Sequence, residues 1–130
     1  MREKLVEEWL YKAEQDFESA HQLIKKLKKP VPDVVCFHCQ QTIEKYLKAF
    51  LVQNDIEPPE IHDLQRLKNV CVKIDKSFDQ ISEGLDVLNA YAVDFRYPGE
   101  GATINESKKA FQTAVKIREF LRTKLKINPE

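Results

Sequence analysis

One stretch of the sequence decides the fold: residues 32–54, which read PDVVCFHCQQTIEKYLKAFLVQN. Its apolar residues recur every three or four positions, the period of an α-helix that buries one side. These apolar residues form two neighbouring rows along the helix. The ridge consists of Val35, Cys39, Ile43, Tyr46 and Phe50, and the flank beside it consists of Cys36, Leu47 and Leu51. Pro32 suits the first turn of a helix, and Asn54 ends the pattern. The stretch therefore predicts a long helix with a packed side.

Helical periodicity continues on both sides of this stretch. It predicts a first helix over about residues 2–28, a short third helix from His62 or Asp63 to about Ile74, a fourth helix after Asp79, and a fifth helix with Asn105 as its N-cap. The apolar stripe of the fourth helix includes Ala92 and Phe95, and Gly84 is expected to weaken that helix by about 1 kcal/mol relative to Ala. Asp63 or His62 is expected to cap the third helix.

The order of these segments sets the fold class. No β-alternation, internal repeat or linker separates them, and the loops between them are short. We therefore predict one all-α domain over residues 1–130, an up-and-down four-helix bundle with an additional short helix, about five helices in total.

The composition indicates the class of protein and its environment. The 130 residues are 42% hydrophobic and 32% charged, which is typical of a globular chain. The 21 basic and 21 acidic residues cancel, so the overall basic excess of a dedicated nucleic-acid binder is missing, although a local basic patch is compatible with this balance. No secretory or membrane-spanning run is apparent. We expect a cytoplasmic protein in which Cys36, Cys39 and Cys71 are reduced, buried and apolar in role.

Three polar features stand out because they interrupt apolar stripes or occupy the Gly-rich loop. They are Asp16 in the first helix, the His38-Cys39-Gln40-Gln41 run in the second, and Arg96-Tyr97 at the start of the RYPGEG loop. A buried charge is costly unless it is paired, so one interpretation is an Asp16–Arg96 ion pair that fixes the register of the bundle. The other is that the planar Arg96 guanidinium grips a phosphate, while Asp16 or Gln40 orients it.

Other candidate sites have weaker support. Cys36, His38 and Cys39 lie close together, but a zinc site needs a second ligand pair, and His62 and Cys71 are single and distant. We therefore expect no metal, no cofactor and no catalytic residue set. The basic runs are interpreted as solvated faces; they are Lys25-Lys26, Lys28-Lys29 and Lys108-Lys109, with Arg118, Arg122, Lys124 and Lys126.

Taken together, these features resemble the HEPN domain family. The residues that carry the resemblance are Trp9, Ala13 and Asp16, then the block from Cys36 to Ala49, then His62-Asp63-Leu64, and finally Arg96-Tyr97-Pro98-Gly99. The resemblance implies a four-helix up-and-down bundle with an extra short helix, often as a homodimer. It also implies association with nucleotides or RNA, and pairing with a minimal nucleotidyltransferase, which in some relatives forms a toxin–antitoxin module.

The resemblance also bears on catalysis. HEPN ribonucleases carry an Arg that is followed, after four to six residues, by a His. Arg96 matches the Arg, but the required His would fall at Gly101, Ala102 or Thr103, and no His follows His62. Metal-independent RNA cleavage needs a general acid or base, for which Glu100 is a poor substitute. The ribonuclease motif is therefore incomplete.

The resemblance thus predicts a non-catalytic module that binds ATP, GTP or RNA and a nucleotidyltransferase partner, as a homodimer without a membrane role. The expected ligand-binding residues are Arg96, Tyr97, His38, Gln41, Lys45 and Asp16. Arg96 would hold phosphate, Tyr97 or His38 would contact a base or ribose, and Lys45 or Lys48 would supply charge. Two alternatives stay open: a metal-independent ribonuclease with a non-standard site that uses His38 or His62 with Arg96, and a purely structural interaction domain.

Overall fold

The computed structural model of the chain describes residues 1–90 and 98–127. The described residues form α1 (Arg2–Ile24), α2 (Pro32–Gln53), α3 (Leu64–Val72), a 3₁₀-helix (Lys76–Ile81), α4 (Ser82–Asn89) and α5 (Ile104–Lys124). No strand occurs in these two ranges. The predicted all-α class and the helical bundle with a short additional helix are confirmed. Within the same ranges, no helix is long and apolar enough to span a bilayer.

The central element of the bundle is α2, which packs against α1, α3, α4 and α5. Every residue of its predicted ridge and flank is buried. Side-chain contacts show the directions of the neighbouring helices. Arg2, at the start of α1, donates to Asp55, just after the end of α2, and Tyr46 donates to Glu14 in the middle of α1, so α1 and α2 are antiparallel. Gln53 donates to the Leu125 carbonyl near the far end of α5, so α5 runs parallel to α2.

Several helix ends differ from the sequence prediction. α1 ends at Ile24 rather than near Lys28, because residues 25–29, including Leu27, lie exposed beyond the core and would gain no packing by continuing the helix. The capping role predicted for Asp63 is confirmed, since its carboxylate accepts from the amides of Gln65 and Arg66. The stripe positions Ala92 and Phe95 of the fourth helix lie outside the described residues.

The prediction that Asn105 caps the fifth helix is wrong. Thr103 is the N-cap: its hydroxyl accepts from the Glu106 amide at 3.0 Å, and the Glu106 carboxylate accepts from the Thr103 amide at 2.9 Å. This reciprocal pair is a capping box, which satisfies two amides at once, whereas a cap at Asn105 would use neither Thr103 nor Glu106. The helix therefore begins one residue before Asn105, at Ile104.

Gly84 has a packing role that its helix propensity does not reveal. A Cβ at this position would lie 2.8 Å from Cδ1 of Ile117 and 3.2 Å from Cγ2 of Thr113, both on α5. The glycine thus permits a close approach of α4 to α5, which offsets its unfavourable helix propensity.

Candidate functional site

A buried carboxylate joins α1 to α2 at the first predicted polar position. Asp16 is 9% exposed, and its two oxygens have different partners: Oδ1 lies 2.8 Å from Nδ1 of His38, and Oδ2 accepts from Nζ of Lys45. His38 and Lys45 are seven residues apart, which is two helical turns, so both project from the same side of α2. The structure therefore brings three of the six predicted ligand-binding residues together.

This Asp16 cluster can serve two kinds of chemistry. The side chains of His38 and Lys45 are 25% and 23% exposed. The His38 imidazole and the Lys45 ammonium are therefore accessible to solvent, while their contacts with Asp16 fix their positions. When His38 is neutral and donates from Nδ1 to Asp16, its Nε2 is left as an acceptor able to take a proton. When His38 is protonated, the three groups carry a net charge of +1, which suits a phosphate.

A second cluster lies on the same helix around a carboxylate that the sequence reasoning did not single out. Glu44 is 3% exposed and accepts from Nζ of Lys48 at 3.2 Å, while Nδ1 of His62 lies 3.1 Å from both carboxylate oxygens. Lys48 also lies 5.6 Å from the centre of the Trp9 ring. A signal was available in the sequence, since Glu44 and Lys48 are spaced i,i+4 inside an apolar run.

The glutamines of α2 belong to this Glu44 cluster. Nε2 of Gln41 donates to Oε1 of Gln40 at 2.7 Å and lies 3.5 Å from the Glu44 carboxylate. Gln40 is fully buried and donates to the His62 carbonyl, so it fastens the loop ahead of α3 to α2. Gln41 is partly exposed and takes part in this network, not in the contacts of Asp16. The capping role considered for His62 belongs to Asp63 alone, and the His62 ring instead contacts Glu44.

A third cluster ties α1, α2 and α5 together, and it corrects part of the sequence interpretation. Arg118 donates to the Glu14 carboxylate from Nε at 2.8 Å and from Nη2, and its guanidinium lies 4.3 Å from the centre of the Phe17 ring. Tyr46 donates to Glu14 at 2.6 Å and accepts from Arg122 at 3.1 Å. Arg118 and Arg122 are therefore not part of a solvated face, and neither is Lys124, which pairs with Asp75.

The electrostatics of this third cluster follow from its burial and its ion pair. Burial opposes ionisation of Glu14, but the hydrogen bonds from Arg118 and Tyr46 outweigh it and hold the pKa of Glu14 below its usual value. The hydrogen bond to Glu14 raises the pKa of Arg118. Burial raises the pKa of Tyr46 to about 12, with the Glu14 carboxylate acting in the same direction. Near neutral pH, Glu14 and Arg118 are therefore charged while Tyr46 stays a neutral hydroxyl, and we interpret the cluster as structural.

Replacing Tyr46 with Phe tests that role. The substitution removes the hydroxyl that donates to Glu14 and accepts from Arg122, so we expect the free energy of unfolding to fall by about 1–3 kcal/mol. Urea denaturation measures the change. Tyr11→Phe is the matched control because the Tyr11 side chain is exposed, and it should change stability by less than about 0.5 kcal/mol. Equal effects of the two substitutions would contradict a structural role for the cluster.

The predicted phosphate-binding pair, Arg96 and Tyr97, lies outside the described residues, and so does the predicted Asp16–Arg96 ion pair. The loop that follows this pair is described. Oδ1 of Asp33 accepts from the Ala102 amide at 2.5 Å, and a Cβ on Gly101 would lie 3.4 Å from the Asp33 carboxylate. The loop after Arg96 is thus fastened to the first turn of α2, the helix that carries His38 and Lys45.

Metal binding has no support among the described side chains. Within residues 1–90 and 98–127, no group of three or more His, Cys, Asp or Glu side chains is arranged to hold a metal ion. Cys36, Cys39 and Cys71 are buried as predicted, and burial raises the pKa of each thiol to about 12. These thiols are therefore protonated near neutral pH and behave as small apolar side chains.

The fold and the clusters on α2 define a helical-bundle domain whose central helix carries charged groups between its neighbours. The family model described as HEPN domain matches residues 6–124, so the chain belongs to the HEPN family and the resemblance noted in the sequence is confirmed. No curated protein and no solved structure matches the chain.

Proposed function

We propose that this HEPN-family chain is a nucleotide-binding module that acts as a homodimer with a minimal nucleotidyltransferase, as one half of a toxin–antitoxin pair. The observation that supports it best is the Asp16 cluster. A buried carboxylate on α1 holds His38 and Lys45 side by side at the surface of α2, so their donors are positioned before a ligand arrives. Donors fixed in advance lose less entropy on binding an anion than mobile surface lysines do.

The ligand-binding set extends from this cluster. Lys45 and protonated His38 supply charge to a phosphate, and Gln41 offers a partly exposed amide one turn along the same helix. Arg96 and Tyr97 complete the set in the proposal, with Arg96 as the bidentate phosphate ligand. The hydrogen bond between Asp33 and Ala102 supports this arrangement because it ties the loop that follows Arg96 to α2.

Isothermal titration of ATP and GTP tests the proposal. We expect wild-type protein to bind one of them, and Lys45→Ala and Arg96→Ala each to weaken binding by about ten-fold or more, since each removes a charge-assisted hydrogen bond. The matched control is Lys116→Ala, an exposed lysine on α5 with no ion pair to a described residue, and it should bind like wild type. Light scattering checks the dimer in every variant. Absence of binding by wild type at about 1 mM nucleotide would refute nucleotide binding.

A second candidate function is metal-independent ribonuclease activity, which one observation favours. His38 faces the Asp16 carboxylate at 2.8 Å, and a carboxylate in this position orients an imidazole as a general base. The candidate predicts cleavage of a fluorescent RNA that persists in EDTA and is lost in both His38→Gln and Arg96→Ala. Intact RNA after incubation with purified wild-type dimer would exclude it.

A further inference from the structure

A small apolar cavity lies at the end of the bundle where α1 ends and α2 and α5 begin. It encloses about 100 Å³ and has an apolar lining of Leu23, Ile24, Leu27, Val31, Val35 and Ile104. Its mouth is open to solvent, since Leu27 is 93% exposed and Ile104 is 49% exposed. An apolar recess of this size suits a single branched apolar side chain. It shares no residue with the Asp16 cluster or the Glu44 cluster.

The cavity is rimmed by lysines that have no acidic partners among the described residues. Lys26 and Lys108 line its edge, and the neighbouring segments add four more exposed lysines, namely Lys25, Lys28, Lys29 and Lys109. None of the six side-chain ammonium groups forms a hydrogen bond or ion pair with a described residue. The nearby carboxylates of Asp33 and Glu106 accept hydrogen bonds from the backbone amides of Ala102 and Thr103, and neither forms an ion pair with these lysines. A chain with no net charge thus concentrates unpaired positive charge here.

We propose that this cavity docks an acidic segment of a partner protein that inserts one branched apolar side chain. An apolar centre surrounded by a charged rim is the usual anatomy of a protein-binding site, and the six lysines select a partner with Asp or Glu on both sides of its apolar residue. The exposed Leu27, set among four lysines, extends the apolar contact beyond the cavity.

Other polyanions fit this surface less well. A single-stranded nucleic acid would use the lysines, but the described residues that line the cavity include no aromatic side chain on which a base stacks. A lipid surface would contact the projecting Leu27 but would leave Val31 and Val35 unused, because these two line a recess. The acidic protein segment uses both the charge and the recess. This proposal does not rest on nucleotide binding, because its residues and its ligand are different.

Fluorescence anisotropy with a designed peptide tests the docking site. The probe is a fluorescein-labelled peptide with one Leu between two Glu-rich runs, and its control replaces the Leu with Ser. We expect the full-length protein to bind the Leu peptide with a Kd on the order of 10 μM and the Ser peptide at least about ten-fold more weakly. Lys26→Glu/Lys108→Glu and Leu27→Ser/Ile104→Ser should each weaken binding of the Leu peptide by about ten-fold or more.

The controls separate the proposal from its alternatives. All four substituted positions are exposed, so the variants are expected to fold, which circular dichroism checks. Lys12→Glu/Lys116→Glu makes the same charge change at exposed lysines outside the cavity and should bind like wild type. Three results would overturn the proposal. The first is no binding at about 1 mM peptide, and the second is equal affinity for the Leu and Ser peptides. The third is displacement of the labelled peptide by phosphatidylserine vesicles or single-stranded RNA at a lower concentration than unlabelled peptide requires.

Discussion

Replacing Glu44 with Ala should lower the free energy of unfolding by about 3–5 kcal/mol, the largest effect expected of any single substitution considered for this protein. Glu44 is 3% exposed and Lys48 is 6% exposed, so the substitution leaves the Lys48 ammonium buried without its anion. His62 and Gln41 lose an acceptor in the same step. An uncompensated buried charge costs much more than the intact pair contributes.

Urea denaturation near neutral pH measures this effect. Glu119→Ala is the matched control, since Glu119 is an exposed carboxylate on α5, and it should change stability by less than about 0.5 kcal/mol. The double variant Glu44→Leu/Lys48→Met should be more stable than Glu44→Ala, because it removes both buried charges and keeps the volume filled. A double variant as unstable as Glu44→Ala would show that the unpaired ammonium is not the cause of the loss.

Stability should also fall steeply at alkaline pH. Burial raises the pKa of Cys36, Cys39 and Cys71 from 9.0 to about 12, and that of Tyr46 from 10.0 to about 12. The unfolded chain therefore releases these protons at lower pH than the folded chain does. Their stabilising effect is fully present below about pH 9 and is lost as the pH rises toward 12, at about 1.4 kcal/mol per pH unit for each thiol.

Urea midpoints measured between about pH 8 and pH 11 test this dependence. The variant in which Cys36, Cys39 and Cys71 are all replaced by Ala should be less stable at neutral pH but should lose stability more gradually above about pH 9. Alkylation by iodoacetamide gives an independent readout, since native wild-type thiols should react far more slowly than those of the urea-unfolded chain. A wild-type midpoint that stays constant up to about pH 11 would contradict the raised thiol pKa values.

The helices could be predicted because their signals are local. The apolar ridge of α2 and the capping role of Asp63 depend on residues within a few positions of each other, and both are confirmed. The error at the start of α5 was also local: a Thr followed three residues later by a Glu is a capping box, and this signal was stronger than that of Asn105.

The partners of the charged residues could not be predicted, because they depend on the register of one helix against another. The sequence shows that Asp16 interrupts an apolar stripe, but His38 and Lys45 are 22 and 29 residues away, and one turn of sliding between α1 and α2 would exchange them for other side chains. The same limit explains the error at Arg118, which looks like a solvated cation until Glu14 is placed beside it. No periodicity in the sequence reports this contact.

The Glu14–Arg118 pair has a consequence for the order of events during synthesis. The two residues are 104 positions apart, and Arg118 belongs to the last of the described helices to leave the ribosome. In a nascent chain that has released only α1 and α2, the Tyr46 hydroxyl is available to Glu14 but the Arg118 guanidinium is not yet made. The side of α2 that α5 covers is then still open to solvent, and exposed apolar surface of this kind is what makes incomplete chains prone to aggregation.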